Sequence, residues 1–250
     1  MPQGTVVITG ASAGFGEAAA LAFAKLGHPL VLGARRMDRL QKVAEAARKA
    51  GSPRALALPL DVRSAESIHK FAAAAELETP YLLINNAGGA LGRDKLAEFK
   101  DEDLLGMIEA NLTGLLRMTR ALLPGLIRRN AGHIINISSY AAYGTYEGGG
   151  IYAPVKHAVR AVSDTLRVEL NGTEIRVSDI APGLAETEFS IVRLGSAEKA
   201  KQVYAGMRPL TAQDVADVIV WVATRPQHVN ISQVLLNPTD QGSLTKVHRR

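Results

Sequence analysis

The chain has no cysteine among its 250 residues, which excludes a disulfide framework, a thiolate nucleophile and a zinc–thiolate site. Aromatics are also scarce, at 5% with one tryptophan, and no basic run interleaves with them, which argues against a nucleic-acid groove. The net charge of +5 comes from dispersed residues, chiefly Arg35-Arg36, Arg128-Arg129 and a tail of Lys246, His248, Arg249 and Arg250. A phosphorylated small molecule accounts for a few such charges better than a polyanion does. No apolar stretch approaches the ~20 residues of a membrane span, so no membrane partner is expected. The histidines (His28, His69, His133, His157, His228 and His248) form no pair with ligand spacing, so no metal is expected. Met1-Pro2-Gln3-Gly4 shows no basic, apolar leader. The expectation is a cytoplasmic protein acting on a small molecule.

The 47% hydrophobic and 21% charged residues suit one globular chain with a substantial core. Strand-like segments at 5–9, 29–33, 55–59, 81–85, 132–138, 174–180 and 233–236 alternate with helical ones near 15–26, 36–50, 64–75, 101–129, 152–170 and 211–223. That alternation predicts an α/β fold, a Rossmann-type doubly wound parallel sheet of about seven strands with helices on both faces. No low-complexity linker or repeat divides it, so residues 1–250 read as a single domain, with a substrate loop near 184–210.

The first strand, Thr5 to Thr9, runs directly into Gly10-Ala11-Ser12-Ala13-Gly14-Phe15-Gly16 and then into a strong helix former. Strand, glycine turn and helix bring a pyrophosphate onto the N–H groups of a helix start. The spacing is a variant of the dinucleotide fingerprint, Gly-x-x-x-Gly-x-Gly. Gly10 permits the tight turn, Gly14 and Gly16 allow close approach, and Ser12 adds a hydroxyl. The second strand ends Ala34-Arg35-Arg36, where an acid would bind a ribose 2′-hydroxyl. Two guanidinium groups there favour a 2′-phosphate, hence NADP over NAD, with Arg35 on the phosphate and Arg36 assisting or stacking on adenine.

Near the middle of the chain, Tyr152 and Lys156 are four residues apart, and Ser139 stands thirteen before the tyrosine. A four-residue separation puts phenol and ammonium on one helix face. The ammonium is expected to lower the phenol's pKa from its usual value near ~10. The serine hydroxyl then holds the oxygen that the tyrosine protonates.

Together these stretches resemble the short-chain dehydrogenase/reductase family. The resemblance rests on Thr9 to Gly16, Asn85-Asn86-Ala87-Gly88, Asn111, Ser139, Tyr152-Ala153-Pro154-Val155-Lys156, and Pro182-Gly183 with Thr187. Within the family the chain is most similar to the NADP-dependent 3-hydroxy acid branch, which includes serine and L-allo-threonine dehydrogenases. The branch stretches are Gly14-Phe15-Gly16-Glu17, Gly132 to Ser139, Thr187-Glu188-Phe189-Ser190 with Val192-Arg193, Pro226 to Asn230 and Val247-His248-Arg249.

The resemblance implies a catalytic set of Asn111, Ser139, Tyr152 and Lys156. Tyr152 is the acid or base, Lys156 also binds the nicotinamide ribose, Ser139 orients substrate, and Asn111 holds a relay water. It further implies cofactor contacts at Gly10, Ser12, Gly14, Phe15, Gly16, Asp61, Val62, Asn86, Ala87, Gly88, Pro182, Gly183 and Thr187, beside Arg35 and Arg36. Asp61 and Val62 meet the adenine, and Thr187 meets the carboxamide or a phosphate. A homotetramer built on helices 101–129 and 152–170 is implied as well.

Arg193 is the candidate for a substrate carboxylate, by position and charge. Pro154 is tolerable only in a first helical turn. Gly89 and Gly150 stand where the branch has larger residues, and Glu147 brings a carboxylate toward the expected pocket mouth. The expected reaction is hydride exchange between NADP(H) and a small 3-hydroxy acid such as serine, allo-threonine or 3-hydroxypropionate. A reductase of uncharged ketones or aldehydes remains the alternative, followed by a non-catalytic cofactor sensor.

Overall fold

The computed structural model describes residues 4–250, so the start at Met1-Pro2-Gln3 lies outside the described residues. Seven parallel strands form one sheet in the order β3-β2-β1-β4-β5-β6-β7. They are β1 (Thr5–Thr9), β2 (Leu30–Ala34), β3 (Ala55–Pro59), β4 (Pro80–Asn85), β5 (Gly132–Ile137), β6 (Ile175–Pro182) and β7 (Gln233–Leu236). The predicted strands lie within a residue or two of these bounds, β7 matching at both ends. The helices are α1 (Gly14–Lys25), α2 (Met37–Lys49), α3 (Ala65–Glu76), α4 (Asp101–Ile108), α5 (Gly114–Arg129), α6 (Tyr152–Glu169), α7 (Glu188–Leu194), α8 (Ala197–Tyr204) and α9 (Ala212–Ala223).

Strand periodicity explains how helices come to cover both faces. Val6 and Ile8 of β1 point to one side and pack with Phe23 of α1, Leu40 of α2 and Ile219 of α9. Val7 points to the other, with Phe71 of α3 and Met118 and Leu122 of α5. Further along that second face, Ile134 and Val177 pack with Leu126 of α5 and Leu166 of α6. Both faces being covered, the central strands β1, β2, β4, β5 and β6 are buried from end to end. Between β4 and β5 a buried amide chain ties strands to helices: Asn85 Nδ2 donates to Thr119 Oγ1 and Asn136 Oδ1, each at 2.9 Å, and Asn136 Nδ2 donates to Ser163 Oγ at 2.9 Å.

The order of connection reverses between β1 and β4. The chain leaves β1 toward β2 on one side and returns to β4 on the other, opening a crevice at the carboxyl ends of both strands. The helix expected across 101–129 is not regular throughout. Glu109–Thr113 form a wide π-helical turn between α4 and α5, with Asn111 inside it.

Candidate active site

The crevice is framed by the two turns that leave β1 and β4. Gly10 has φ +68°, and a Cβ on it would lie 2.9 Å from Ala87 Cα, so only glycine lets the turns meet. Asn86 secures that meeting: its Nδ2 donates to the carbonyls of Thr9 and Gly10 at 3.0 and 3.1 Å. The Thr9 hydroxyl accepts from the N–H groups of Asn86 and Ala87. Beyond the turn, α1 starts at Gly14 with Phe15 and Gly16 in its first turn and no side chain capping its N-terminus. Those N–H groups are open to an anion in the crevice.

Asn111 is 2% exposed, and its side chain is committed to the β4 turn. Nδ2 donates to the carbonyls of Gly89 and Met107, both at 2.8 Å, while Oδ1 accepts from Gly89 N–H at 3.1 Å. Any Cβ on Gly88 would collide with that Asn111 oxygen, which accounts for the glycine.

The structure brings Ser139, Tyr152 and Lys156 together. Ser139 lies two residues past β5 and caps the short helical turn Tyr140–Ala142, where its Oγ accepts from Ala141 N–H at 3.2 Å, leaving its own proton free to donate. Tyr152 is the first residue of α6, which places Pro154 in the first turn, where its missing N–H breaks no bond. Tyr152 and Lys156 are buried, and the Lys156 ammonium lies 5.7 Å from the phenol ring while donating to the Ile137 carbonyl at 3.0 Å.

The electrostatics correct one expectation. Spacing alone has the ammonium lowering the phenol's pKa, but burial dominates and pushes Tyr152 up to about 12, against a lowering by the Ser139 hydrogen bond and Arg193. Burial also pushes Lys156 down to about 8, with Asp179 opposing. The phenol is therefore a neutral proton donor near neutrality.

Tyr152 forms part of a cleft lined also by Ser139, Tyr146, Phe189, Arg193 and Tyr204. Arg193, in the last turn of α7, holds its guanidinium 5.4 Å from the Tyr152 ring and 5.7 Å from that of Tyr146. It is fastened by Nε to the Gly92 carbonyl at 3.0 Å and by Nη2 to the Gly148 carbonyl at 3.2 Å, so one cation ties α7 to two loops beside the cleft. Glu147, at the rim, is met by Lys95 at 3.4 Å, which offsets its charge. A side chain at Gly89 would meet nothing within 4 Å, and one at Gly150 only Leu96 from 3.6 Å, so larger residues would fit at both positions.

Arg35 and Arg36 are exposed at the end of β2. Arg36 donates to Ser12 Oγ at 3.3 Å and pairs with Glu188 at 2.8 Å, and Arg39 pairs with the same carboxylate at 2.5 Å. Pro182 closes β6, Gly183 N–H bonds the Leu236 carbonyl at 2.7 Å, and Thr187 caps α7 with its Cγ2 over Gly14. Asp61 does not present a free carboxylate. Arg63 grips it at 3.1 and 2.7 Å and holds it below the usual carboxylate range. Val62 is buried beside Gly114.

Sequence reasoning missed Arg39, the pairing role of Glu188, Tyr146 and Phe189, whose ring is 5.6 Å from that of Tyr152. The signal for Glu188 was an acid at a helix start. Its partners lie 149 and 152 residues away, which no local pattern reveals.

A switch-point crevice beside a serine–tyrosine–lysine cluster defines a dinucleotide-dependent oxidoreductase. The short chain dehydrogenase family profile matches residues 4–194, and the chain belongs to that family. The NADP-dependent 3-hydroxy acid dehydrogenase of Salmonella typhi is 43% identical over 249 residues, covering 98% of this chain and 99% of the relative. Serine 3-dehydrogenase of Agrobacterium fabrum is 39% identical over 242 residues, covering 96% and 95%. Among solved structures, the closed form of serine dehydrogenase complexed with NADP+ superposes with a TM-score of 0.91 at 41% identity, covering 98% of this chain and all of that one.

Proposed function

We propose that this chain is an NADP-dependent dehydrogenase of small 3-hydroxy acids, in the manner of the serine and 3-hydroxy acid dehydrogenases it resembles. The observation that carries this reading is a buried phenol that shares its cleft with Ser139 and lies beneath a guanidinium held over that cleft.

The crevice fits the cofactor: the Gly10 turn excludes a Cβ, the α1 N-terminus is uncapped, and Arg35 and Arg36 stand where a 2′-phosphate would fall. Bound NADP supplies the hydride acceptor, and NADPH the donor. Gly10 to Gly16 would hold the pyrophosphate, Arg35 and Arg36 the 2′-phosphate, Asn86 to Gly88 the adenosine ribose, and Pro182 to Thr187 the nicotinamide side. In reduction, Tyr152 donates its proton to the substrate oxygen while Ser139 donates a hydrogen bond to it. In oxidation the phenolate takes the hydroxyl proton. Lys156 holds charge near that oxygen. Arg193 receives the substrate carboxylate.

The rings of Tyr146 and Phe189 in the cleft favour a second reading, reduction of uncharged ketones. Both readings need the same acid. A sensor that performs no chemistry would not need the intact Ser139–Tyr152–Lys156 set. For assembly, a homotetramer through α4–α5 and α6 is in keeping with exposed Leu105, Leu116, Ile127 and Val168. A cytoplasmic location belongs to the same reading. Among the described residues no helix is long and apolar enough to cross a membrane.

The test is a steady-state screen of NADP reduction with serine, allo-threonine, 3-hydroxypropionate and 3-hydroxybutyrate, beside NADPH oxidation with neutral ketones. Turnover of a hydroxy acid is expected, and Tyr152→Phe should cut kcat by about 10²–10⁴ while leaving NADPH binding intact. Turnover of neutral ketones alone would move the reading to the carbonyl reductase. An unimpaired Tyr152→Phe would remove both.

A further inference from the structure

The start of α7 carries a carboxylate that the mechanism above does not use. Glu188 is the first residue of that helix, next to Thr187, whose hydroxyl caps it by accepting from Phe189 N–H at 3.2 Å. Thr187 also lies over Gly14, the first residue of α1, which docks this end of α7 on the glycine turn. From there Glu188 crosses the crevice to the end of β2. Its Oε2 accepts from Arg36 Nη1 at 2.8 Å, and its Oε1 accepts from Arg39 Nη1 at 2.5 Å.

Arg36 is thereby engaged on every nitrogen. Nη1 is on Glu188, while Nε and Nη2 both donate to Ser12 Oγ at 3.3 Å. Its charge is already matched by a carboxylate. A 2′-phosphate brought to Arg36 adds about −1.5 to −2 of charge beside the single negative charge of Glu188, and the two anions repel. The pairs are also easy to exchange, with Arg36, Glu188 and Arg39 side chains 44%, 41% and 46% exposed. A phosphate, with more charge and three acceptor oxygens to fork onto, is the stronger partner for a guanidinium. Arg39 is the second cation that retains Glu188 when Arg36 leaves it.

We propose that Glu188 is an internal surrogate for the 2′-phosphate of NADP. In the cofactor-free protein its carboxylate occupies Arg36; the phosphate takes Arg36 over, and Arg39 keeps Glu188 and with it the start of α7. The proposal rests on the assignment of Arg36 to the 2′-phosphate made above. Glu188 therefore lowers affinity for ligands that carry this phosphate and spares those that lack it. Because the next residue, Phe189, stands 5.6 Å from the Tyr152 ring, the exchange takes place one residue from the catalytic end of the cleft.

The experiment is calorimetric binding to the full-length protein at fixed ionic strength. Adenosine 2′,5′-bisphosphate and 5′-AMP are the paired probes, with NADP and NAD beside them. Glu188→Gln keeps the shape and removes the charge. It should tighten the bisphosphate and NADP by about three- to fivefold and change 5′-AMP and NAD by less than about twofold. Arg39→Ala leaves the carboxylate to Arg36 alone and should weaken the bisphosphate by about twofold or more, an effect that should vanish when Glu188 is also Gln. Unchanged or weaker bisphosphate binding in Glu188→Gln overturns the proposal. So does equal tightening of both probes, the mark of a loosened α7 that merely uncovers the crevice. An Arg39→Ala loss of full size in the Glu188→Gln background overturns it too, by placing Arg39 on the phosphate itself. If Arg36→Ala keeps the wild-type preference for the bisphosphate over 5′-AMP, the cofactor assignment falls and this proposal with it. If that preference is lost while Glu188→Gln binds like wild type, this proposal alone is removed.

Discussion

At the scale of single residues, the site is a contest between burial and partners. The Tyr152 phenol is pushed up to about 12 and the Lys156 ammonium down to about 8, so burial outweighs any pull between them. Both residues were legible from the chain because four-residue spacing needs only a helix to bring them together. Arg193 was legible by charge and position alone, and its two bonds to loop carbonyls were not. Those bonds divide the consequence of replacing it. On the proposed carboxylate role, Arg193→Ala should raise the Michaelis constant for 3-hydroxy acids by about tenfold or more, a charge-assisted hydrogen bond being worth ~1.5–3 kcal/mol. Neutral ketones should be affected much less, through loosened loops. Equal losses for charged and neutral substrates would show that Arg193 only ties loops.

At the scale of elements, two features shape the site. The π turn at Glu109–Thr113 carries the buried Asn111, whose amide fastens α4 to the β4 turn. Residue 111 could be picked out from the sequence, but the widened turn could not, because it answers to the shape of the Gly88–Gly89 loop. The second feature is α7, seven residues long and laid across the crevice. Phe189 faces Tyr152, and Glu188 reaches back to Arg36 and Arg39 on the far side. The Glu188 carboxylate is held below its ordinary range by Arg36 first and then Arg39. These pairs are largely exposed, so their effect is modest and weakened by salt. Glu188→Gln should speed backbone hydrogen exchange across 188–194 in the cofactor-free protein by about two- to fivefold, and added salt should reproduce that in wild type. Exchange unchanged by both would mean that α7 is held by Thr187 and Phe189 instead.

At the scale of the whole molecule, stability depends on histidines buried in their neutral form. His133 on β5 is 1% exposed, with Nε2 bonded to Ser178 Oγ at 2.8 Å, and burial, then Arg176, push its pKa well below 6.5. His28 is also lowered, by burial first. A base whose folded pKa is depressed takes up protons more readily when unfolded, so its stabilisation is complete above the unfolded value and lost as pH falls below it. The Tm should therefore fall as pH drops from 7 through 6.5 toward about 5, and His133→Gln should flatten that slope. A slope unchanged in the variant would assign acid sensitivity to other groups.

The sequence by itself determined the seven strands and the helices between them, because hydrophobic periodicity and glycine turns are local properties of the chain, but it left α7 and α8 as a substrate loop and joined α4 to α5. It also determined the glycine turn and the serine, tyrosine and lysine, whose spacings require nothing beyond one strand and one helix. The tertiary structure alone decided which groups surround the phenol. Burial raises Tyr152 although a lysine lies one turn away, Arg63 claims Asp61, and Glu188 reaches the arginines at the end of β2. Each of these depends on side chains brought together from distant parts of the chain, or on the exclusion of water from the space between them. Neither can be read along a single strand or helix.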